Sequence, residues 1–266
     1  MKGLPIIISA PHAKSTIEDK EIRNRIKLSD YEIWKCSDPF TGQLTEFTSA
    51  SYKIVGKTHR LVCDLNRAPN EQAFHKFDFF HRKVFNHKQG FNKKEKKDIL
   101  KNHWLPYHDQ IATKILELDS KKPPAILVVE YHNTSGDHPL NKSKQYMPSI
   151  ILSNLGTPKT GGKGKEKNTP SLPGPQMQFL KKTIQEELNL SVKINEIFQG
   201  GYNTKWISQL HKKLKTNAKV YAVQIEYNLD IIYNPISKRR DKKAMQIMQT
   251  ALNKAIVKLY NSLANN

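Results

Sequence analysis

The chain has 266 residues, a length that fits one α/β domain with insertions. Its formal net charge of +20 raises nucleic acid as a partner, but the lysines lie in scattered clusters without interleaved aromatic residues, so nucleic-acid binding is only an alternative. Two cysteines and the lack of a long apolar run argue against a disulfide scaffold and a membrane span, and predict a cytoplasmic protein.

The first predicted element is a central β-strand over residues 4–10, because this run is apolar and β-branched on both faces. The strand ends at Pro11 and His12. A short helix is predicted over 19–27, and two further strands over 52–56 and 60–65.

Helices are predicted next along the chain. The spacing of aromatic residues indicates an amphipathic helix over 70–86, and Asn92 followed by Glu95 is typical of a capped helix start. Pro106 is expected to break this second helix, which resumes over 108–118.

A second central strand is predicted over 125–131, where the apolar run gives way to His132 and turn residues. The glycine- and lysine-rich stretch 153–175 is predicted to be a flexible loop that could cover a cleft. The remaining predictions are a strand over 149–152, a helix over 175–190, a strand over 192–197, a helix over 205–214, a strand over 219–227 and a helix over 240–263. Strands that alternate with helices predict a single α/β domain over residues 1–266.

Two histidines are the first candidates for chemistry. His12 and His132 each end an apolar run typical of a central strand, and adjacent strands would bring both rings to one edge of the sheet. A catalytic zinc ion usually takes three protein ligands and keeps a position for water. The spacing leaves the third ligand open among Glu18, Asp19 and Asp38.

Three other groups of residues could bind or activate a substrate. Arg67 and Asn66 offer a planar grip on a carboxylate, although a surface salt bridge beside an asparagine turn is the alternative. Glu226 lies within an apolar strand, where burial would raise its pKa towards that of a general base, unless it forms a structural ion pair. Gly200 and Gly201 allow close approach of backbone to a ligand or are only a loop.

The order of these motifs resembles the N-formylglutamate amidohydrolase family over residues 6 to 234, nearly the whole chain. The resemblance rests on Pro-His at 11–12, Asp-Leu-Asn-Arg at 64–67, Pro-Tyr-His at 106–108, Glu-Tyr-His-Asn at 130–133, Gly-Gly-Tyr at 200–202 and Gln-Ile-Glu-Tyr-Asn at 224–228. It implies a three-layer α/β/α sandwich with a mixed central sheet, similar to the zinc carboxypeptidases.

The same resemblance implies roles for individual residues. The implied ligands of a zinc ion, Zn²⁺, are His12 and His132, and the loose likeness of Ser-Asp-Pro-Phe-Thr to a turn in the family adds Asp38 as the third ligand. The implied general base is Glu226. The implied substrate-binding residues are Arg60, Asn66, Arg67, His108, Gly200 and Gly201.

Two departures from the family pattern concern the site. Ala13-Lys14 stands where the family has Ser-Gly, and Glu130-Tyr131-His132-Asn133 stands where the family has Asp-x-His-Ser. Zinc binding is expected to survive both changes, whereas the choice of substrate is open.

The predicted function is that of a zinc-dependent amidohydrolase that cleaves an N-formyl or N-acyl amide of a carboxylate-bearing amino acid or short peptide. The alternatives are a peptidase or cell-wall amidase of the same fold, and a non-enzymatic nucleic-acid-binding protein. The oligomeric state is left open.

Overall fold

The structure is a computed structural model that describes residues 3–46, 49–86, 90–136, 138, 147–163, 169–234, 236–237 and 239–265. The strands are β1 (Leu4–Ala10), β2 (Ala50–Val55), β3 (Ala125–Thr134), β4 (Ile150–Ser153), β5 (Val192–Ile194), β6 (Lys219–Asn228), β7 (Tyr233–Asn234) and β8 (Arg239–Arg240). The α-helices are α1 (Lys20–Arg25), α2 (Asp30–Cys36), α3 (Thr41–Glu46), α4 (Lys93–Ile99), α5 (Leu105–Asp119), α6 (Gly174–Leu188), α7 (Tyr202–Leu214) and α8 (Lys242–Ala264).

Six strands form one sheet in the order β2-β1-β3-β6-β4-β5. Neighbouring strands are parallel except β6 and β4, which are antiparallel, so the sheet is mixed as predicted. The strands β1 and β3 are adjacent, as predicted from the positions of His12 and His132. A separate two-stranded sheet pairs β7 with β8.

Helices cover both faces of the sheet and complete the predicted three-layer α/β/α sandwich. Side chains alternate between the faces along each strand. On one face, Ile8 belongs to a core with residues of α6 and α8. On the other face, Ile7 and Val128 belong to a core with residues of α5 and α7. None of the described helices combines the length and the apolar character needed to cross a bilayer.

The strand predicted over 60–65 is wrong. This segment is a tight turn in which the backbone N–H groups of Val62 and Cys63 both donate to the carbonyl oxygen of His59. Its apolar side chains, Leu61, Val62, Cys63 and Leu65, are buried in the core under α5 and α7 without pairing to a strand. The apolar run in this segment therefore indicates that its side chains are buried, but it does not indicate a strand.

The helix predicted over 70–86 is also wrong. Only Glu71–Ala73 is helical, as a single 3₁₀ turn. The side chain of Asp78 accepts hydrogen bonds from the backbone N–H groups of Phe80 and Arg82, which stabilises a loop in place of a helix.

The helix predicted to break near Pro106 is continuous. A capping box between Asn92 and Glu95 starts α4 as predicted, and a π-helical turn over Leu100–Trp104 joins α4 to α5. Pro106 lies in the first turn of α5, directly after the wider π-helical turn. At this position the helix tolerates a residue that has no backbone N–H to donate.

Candidate active site

A cavity of about 670 Å³ opens at the carboxyl ends of β1, β3 and β6. This edge is where open α/β sheets bind their ligands. Of the predicted site residues, the cavity is lined by His12, Asp38, Arg60, Asn66, Arg67, His132, Gly200, Gly201 and Glu226. None of the described residues of the stretch 153–175 lines it, so a covering role for that loop stays a prediction.

Three of these residues form a candidate metal site. His12, Asp38 and His132 are at most 3% exposed, and their possible ligand atoms all lie within 4.8 Å of one another. Oδ2 of Asp38 lies 3.1 Å from Nδ1 of His12 and 2.7 Å from Nδ1 of His132. The turn after α2 is held in place because the backbone N–H of Asp38 donates to the carbonyl oxygen of His12.

Asp64 contacts the ring nitrogen of His12 that faces away from Asp38. Oδ1 of Asp64 lies 2.7 Å from Nε2 of His12. Burial favours the neutral acid, but the charges of Arg60 and His12 hold the pKa of Asp64 well below its usual value. Because Asp64 is therefore a carboxylate, it can accept a hydrogen bond from Nε2 of His12, and Nδ1, which faces Asp38, is the ring nitrogen on the side of the candidate metal site. A carboxylate behind a ligating histidine is the usual arrangement in metal sites.

The charges in the cluster need a compensating cation or proton. Burial opposes ionisation of His132, yet the hydrogen bond and charge of Asp38 raise the pKa of His132 to about 9. The same contacts with the two histidines lower the pKa of the buried Asp38. Two imidazole nitrogens and one carboxylate oxygen are the donor set of catalytic zinc sites, and they also suit other first-row divalent metals. The residues present therefore fit a metal ion without identifying it.

Glu226 lies directly beside the candidate metal site. It is the register partner of His132 on the neighbouring parallel strand. Burial raises the pKa of Glu226 to about 7, even though Nε2 of Gln224 donates a hydrogen bond of 2.7 Å to its Oε1. A carboxylate with this pKa can accept a proton near neutral pH and give it up again.

Asn66 contacts His132 from the side of α7. Its Oδ1 accepts the backbone N–H of Asn203 at 3.0 Å, which directs its Nδ2 towards Nε2 of His132 at 3.4 Å. Gly201 approaches so closely that an added Cβ would lie 2.2 Å from this Nδ2. Glycine at 201 is thus required by the space that Asn66 occupies.

The two predicted arginines differ in their partners. The buried Arg60 forms ion pairs with Asp64 at 3.0 Å and with Asp38 at 3.6 Å, so the carboxylates of the site already neutralise it. Arg67 donates to the carbonyl oxygen of Asn66 at 3.2 Å. Among the described residues, no carboxylate forms an ion pair with Arg67, which lines the cavity.

His108 is the one predicted substrate-binding residue that the structure does not bring to the cavity. Its ring is 1% exposed and stacks on Trp104, with 3.5 Å between the ring centroids. Its Nε2 lies 2.9 Å from Oδ1 of Asn203, the residue whose backbone holds Asn66. His108 is therefore connected to His132 through two intermediate residues, Asn203 and Asn66.

Asp64 and Gln224 lie in motifs that carry the family resemblance, but the sequence does not indicate a role for either residue. Gln224 could have been found, because it lies two residues before Glu226 and so projects from the same face of β6. Its Oε1 accepts the backbone N–H of Gly201. Asp64 opens the Asp-Leu-Asn-Arg motif, but nothing in its spacing connects it to His12.

Comparisons with known proteins agree with this architecture. A family model described as N-formylglutamate amidohydrolase matches residues 4–233. The crystal structure of an N-formylglutamate amidohydrolase from Ralstonia eutropha aligns with a TM-score of 0.73 and 12% identity, over 100% of this chain and 96% of that chain. A gene product of Agrobacterium tumefaciens aligns with a TM-score of 0.67 and 17% identity, over 97% of this chain and 92% of that chain. At these identities the alignments show a shared fold, and no curated protein matches the sequence significantly.

Proposed function

Because this chain belongs to the N-formylglutamate amidohydrolase family, we propose that it is a zinc-dependent enzyme that hydrolyses an N-formyl or N-acyl amide of a carboxylate-bearing amino acid. The observation that carries the proposal is the convergence of His12, Asp38 and His132 beside a buried Glu226 in one cavity.

The metal would be held by His12, Asp38 and His132. When bound, zinc supplies Lewis acidity, which polarises a carbonyl group and makes water more acidic. Asp64 keeps Nδ1 of His12 available as a ligand by accepting the proton of Nε2. Arg60 offsets the negative charge of the two aspartates, which lie within 3.6 Å of its guanidinium.

Glu226 acts as the general base and then as the general acid. Its raised pKa lets the carboxylate take a proton from the attacking water and pass that proton to the leaving nitrogen. Hydrolysis requires both transfers, since the amide nitrogen is a poor leaving group until it is protonated. The hydrogen bond from Gln224 orients the carboxylate during this exchange.

Arg67 binds the carboxylate of the substrate. Arg67 lines the cavity without a carboxylate partner among the described residues, and the planar fork of N–H donors of a guanidinium matches a carboxylate through two parallel bonds. Such a grip fixes the amide next to the base as well as adding affinity.

Zinc content and turnover test the proposal together. The purified protein should hold about one zinc per chain and hydrolyse N-formyl or N-acyl glutamate or aspartate. His132→Ala should lose the metal, whereas Glu226→Gln should keep the metal and lose turnover. A protein that takes up no metal, or a metal-loaded protein that cleaves none of these amides, would refute it.

A peptidase or cell-wall amidase of the same fold is the second candidate, and the size of the cavity favours it. Hydrolysis of short peptides in preference to acyl amino acids would identify that activity. Nucleic-acid binding rests only on the net charge of +20 and predicts an affinity that falls steeply with salt.

A further inference from the structure

Three aromatic side chains form one wall of the cavity. Tyr31 and Trp34 project from α2, and Tyr233 belongs to β7. The rings of Tyr31 and Trp34 stack at 5.9 Å with an interplanar angle of 17°, and the rings of Trp34 and Tyr233 lie 5.0 Å apart. We call these three residues the aromatic wall.

The aromatic wall and the proposed carboxylate grip lie on opposite sides of the sheet edge. Trp34 and Tyr233 pack with the core formed by α6 and α8. Asn66, next to Arg67, is hydrogen-bonded to Asn203 of α7 on the other face. A substrate with its carboxylate at Arg67 would therefore extend past the metal ligands towards the aromatic wall with its acyl group.

The cavity is larger than a formylated amino acid needs. A formyl group contributes one carbon to the acyl side, whereas a cavity of about 670 Å³ is in the range that accommodates drug-sized ligands. Leu229 also lines the cavity and belongs to the same apolar core as Tyr233. A planar apolar group would bury its faces against Trp34 and Tyr233 in the arrangement that aromatic pairs prefer.

We propose that the aromatic wall is the acyl-binding subsite and that the enzyme prefers amino acids acylated with an aromatic group over N-formyl amino acids. This inference rests on the proposed function of the same site. In the reaction, the C–N bond breaks, the oxygen of water joins the acyl carbon to give an aromatic carboxylate, and both protons of the water go to the nitrogen of the released amino acid, which leaves as an ammonium group.

The test compares N-benzoyl-L-glutamate with N-formyl-L-glutamate as substrates of the zinc-loaded protein. The expected kcat/KM is higher for the benzoyl substrate by about 10-fold or more, the effect of one well-placed aromatic contact. Trp34→Ala should lower the ratio of the two kcat/KM values towards one, and Trp34→Phe should restore part of the preference.

Two further variants keep the test informative if Trp34→Ala folds poorly. Tyr31 is 46% exposed, so Tyr31→Ala should fold and should reduce the preference for the benzoyl substrate. The matched control is Phe179→Ala, because Phe179 is 40% exposed on α6 and does not line the cavity. The control should leave the ratio of the two kcat/KM values unchanged.

Binding without turnover gives an independent measurement. Glu226→Gln loaded with zinc should bind N-benzoyl-L-glutamate more tightly than N-formyl-L-glutamate by calorimetry, and the added Trp34→Ala change should abolish the difference. Turnover of the formyl substrate without any benzoyl preference would overturn the acyl subsite and leave the proposed function intact. Failure to cleave either substrate would overturn both.

Discussion

Nε2 of His12 lies 2.7 Å from Oδ1 of Asp64, while Nδ1 of the same ring faces Asp38. In the proposed metal site, Nε2 of His12 would contact Asp64 and Nδ1 would bind the metal. This arrangement gives the first prediction. Asp64→Asn should weaken zinc binding by about 10- to 100-fold, because the amide no longer stabilises the required tautomer.

Zinc affinity of this variant can be measured by competition with a chelator. Asp119→Asn is the control, since Asp119 is also a buried carboxylate that accepts hydrogen bonds but binds Asn217 and Ala218 away from the site. Equal zinc affinity of Asp64→Asn and the control would show that Asp64 does not support the metal.

The raised pKa of Glu226 predicts the pH dependence of turnover. A general base must be deprotonated, so kcat/KM should rise with pH and level off above the pKa of Glu226. Burial raises that pKa to about 7, and a bound cation would lower it, so the midpoint should lie at or below about pH 7.

Glu226→Gln should reduce kcat/KM by about 10²- to 10⁴-fold and remove this limb from the pH profile. Zinc content should be unchanged in the variant. A residual activity that keeps the same midpoint would mean that another group titrates.

Gly201 offers a test of precision at the site. In Gly201→Ala the new Cβ would lie 2.2 Å from Nδ2 of Asn66, so the amide of Asn66 must leave its present position beside His132. A misplacement of this size should reduce kcat by about 100-fold. Gly162→Ala is the matched control, because its Cβ would meet nothing closer than 3.5 Å. Equal kcat values for the two variants would show that the position of Asn66 is unimportant.

Arg67 should discriminate substrates by their charge. Arg67→Ala is expected to lower kcat/KM for a carboxylate-bearing substrate by about 100-fold or more, since both positioning and a charge-assisted bond are lost. Arg67→Lys should recover only part of the loss, because an ammonium lacks the planar fork. The analogue with a carboxamide in place of the carboxylate should be a poor substrate of the wild type and equally poor for Arg67→Ala. An unchanged kcat/KM in Arg67→Ala would exclude the grip.

His59 predicts how the stability of the fold depends on pH. Its Nε2 donates to the carbonyl oxygen of Ile33, and its Nδ1 accepts the backbone N–H of Leu61, so the buried ring is neutral. Burial lowers the pKa of His59 from 6.5 to about 4. Between these values the unfolded chain binds a proton that the folded chain does not, so the free energy of unfolding should fall as pH falls.

The contribution of His59 is on the order of 3 kcal/mol between pH 7 and pH 4. Denaturant unfolding of the wild type and of His59→Gln at several pH values measures it, since other titrating groups cancel in the difference. The advantage of the wild type should shrink steadily below pH 6.5. A difference that does not change with pH would show that His59 titrates normally in the folded protein.

Local patterns in the sequence were enough to find the frame of the site. The runs that form β1, β3 and β6 are apolar on both faces, which is typical of strands covered by helices on two sides. These strands carry or precede His12, His132 and Glu226. The carboxyl ends of parallel strands lie at the same edge of a sheet. The strand pattern by itself therefore predicts that these three residues lie in the same region.

The positions of the site residues that lie in turns could be found only from the tertiary structure. Asp38 was one of three candidates on spacing, and only the fold sets its Oδ2 between the two histidine rings. Asp64 lies in the segment that the sequence predicts to be a strand, and His108 packs behind the site and not in it. A turn has no period from which the direction of a side chain can be deduced.

The sequence by itself thus determined the family resemblance, the layered α/β fold and the strand-borne part of the site. Only the tertiary structure decided which loop carboxylates stand beside the histidines, which arginine has no carboxylate partner among the described residues, and that Tyr31, Trp34 and Tyr233 meet at the cavity. The physical reason is that strand periodicity acts over neighbouring residues, whereas contacts such as Asp38 with His132 and Trp34 with Tyr233 join parts of the chain far apart in sequence.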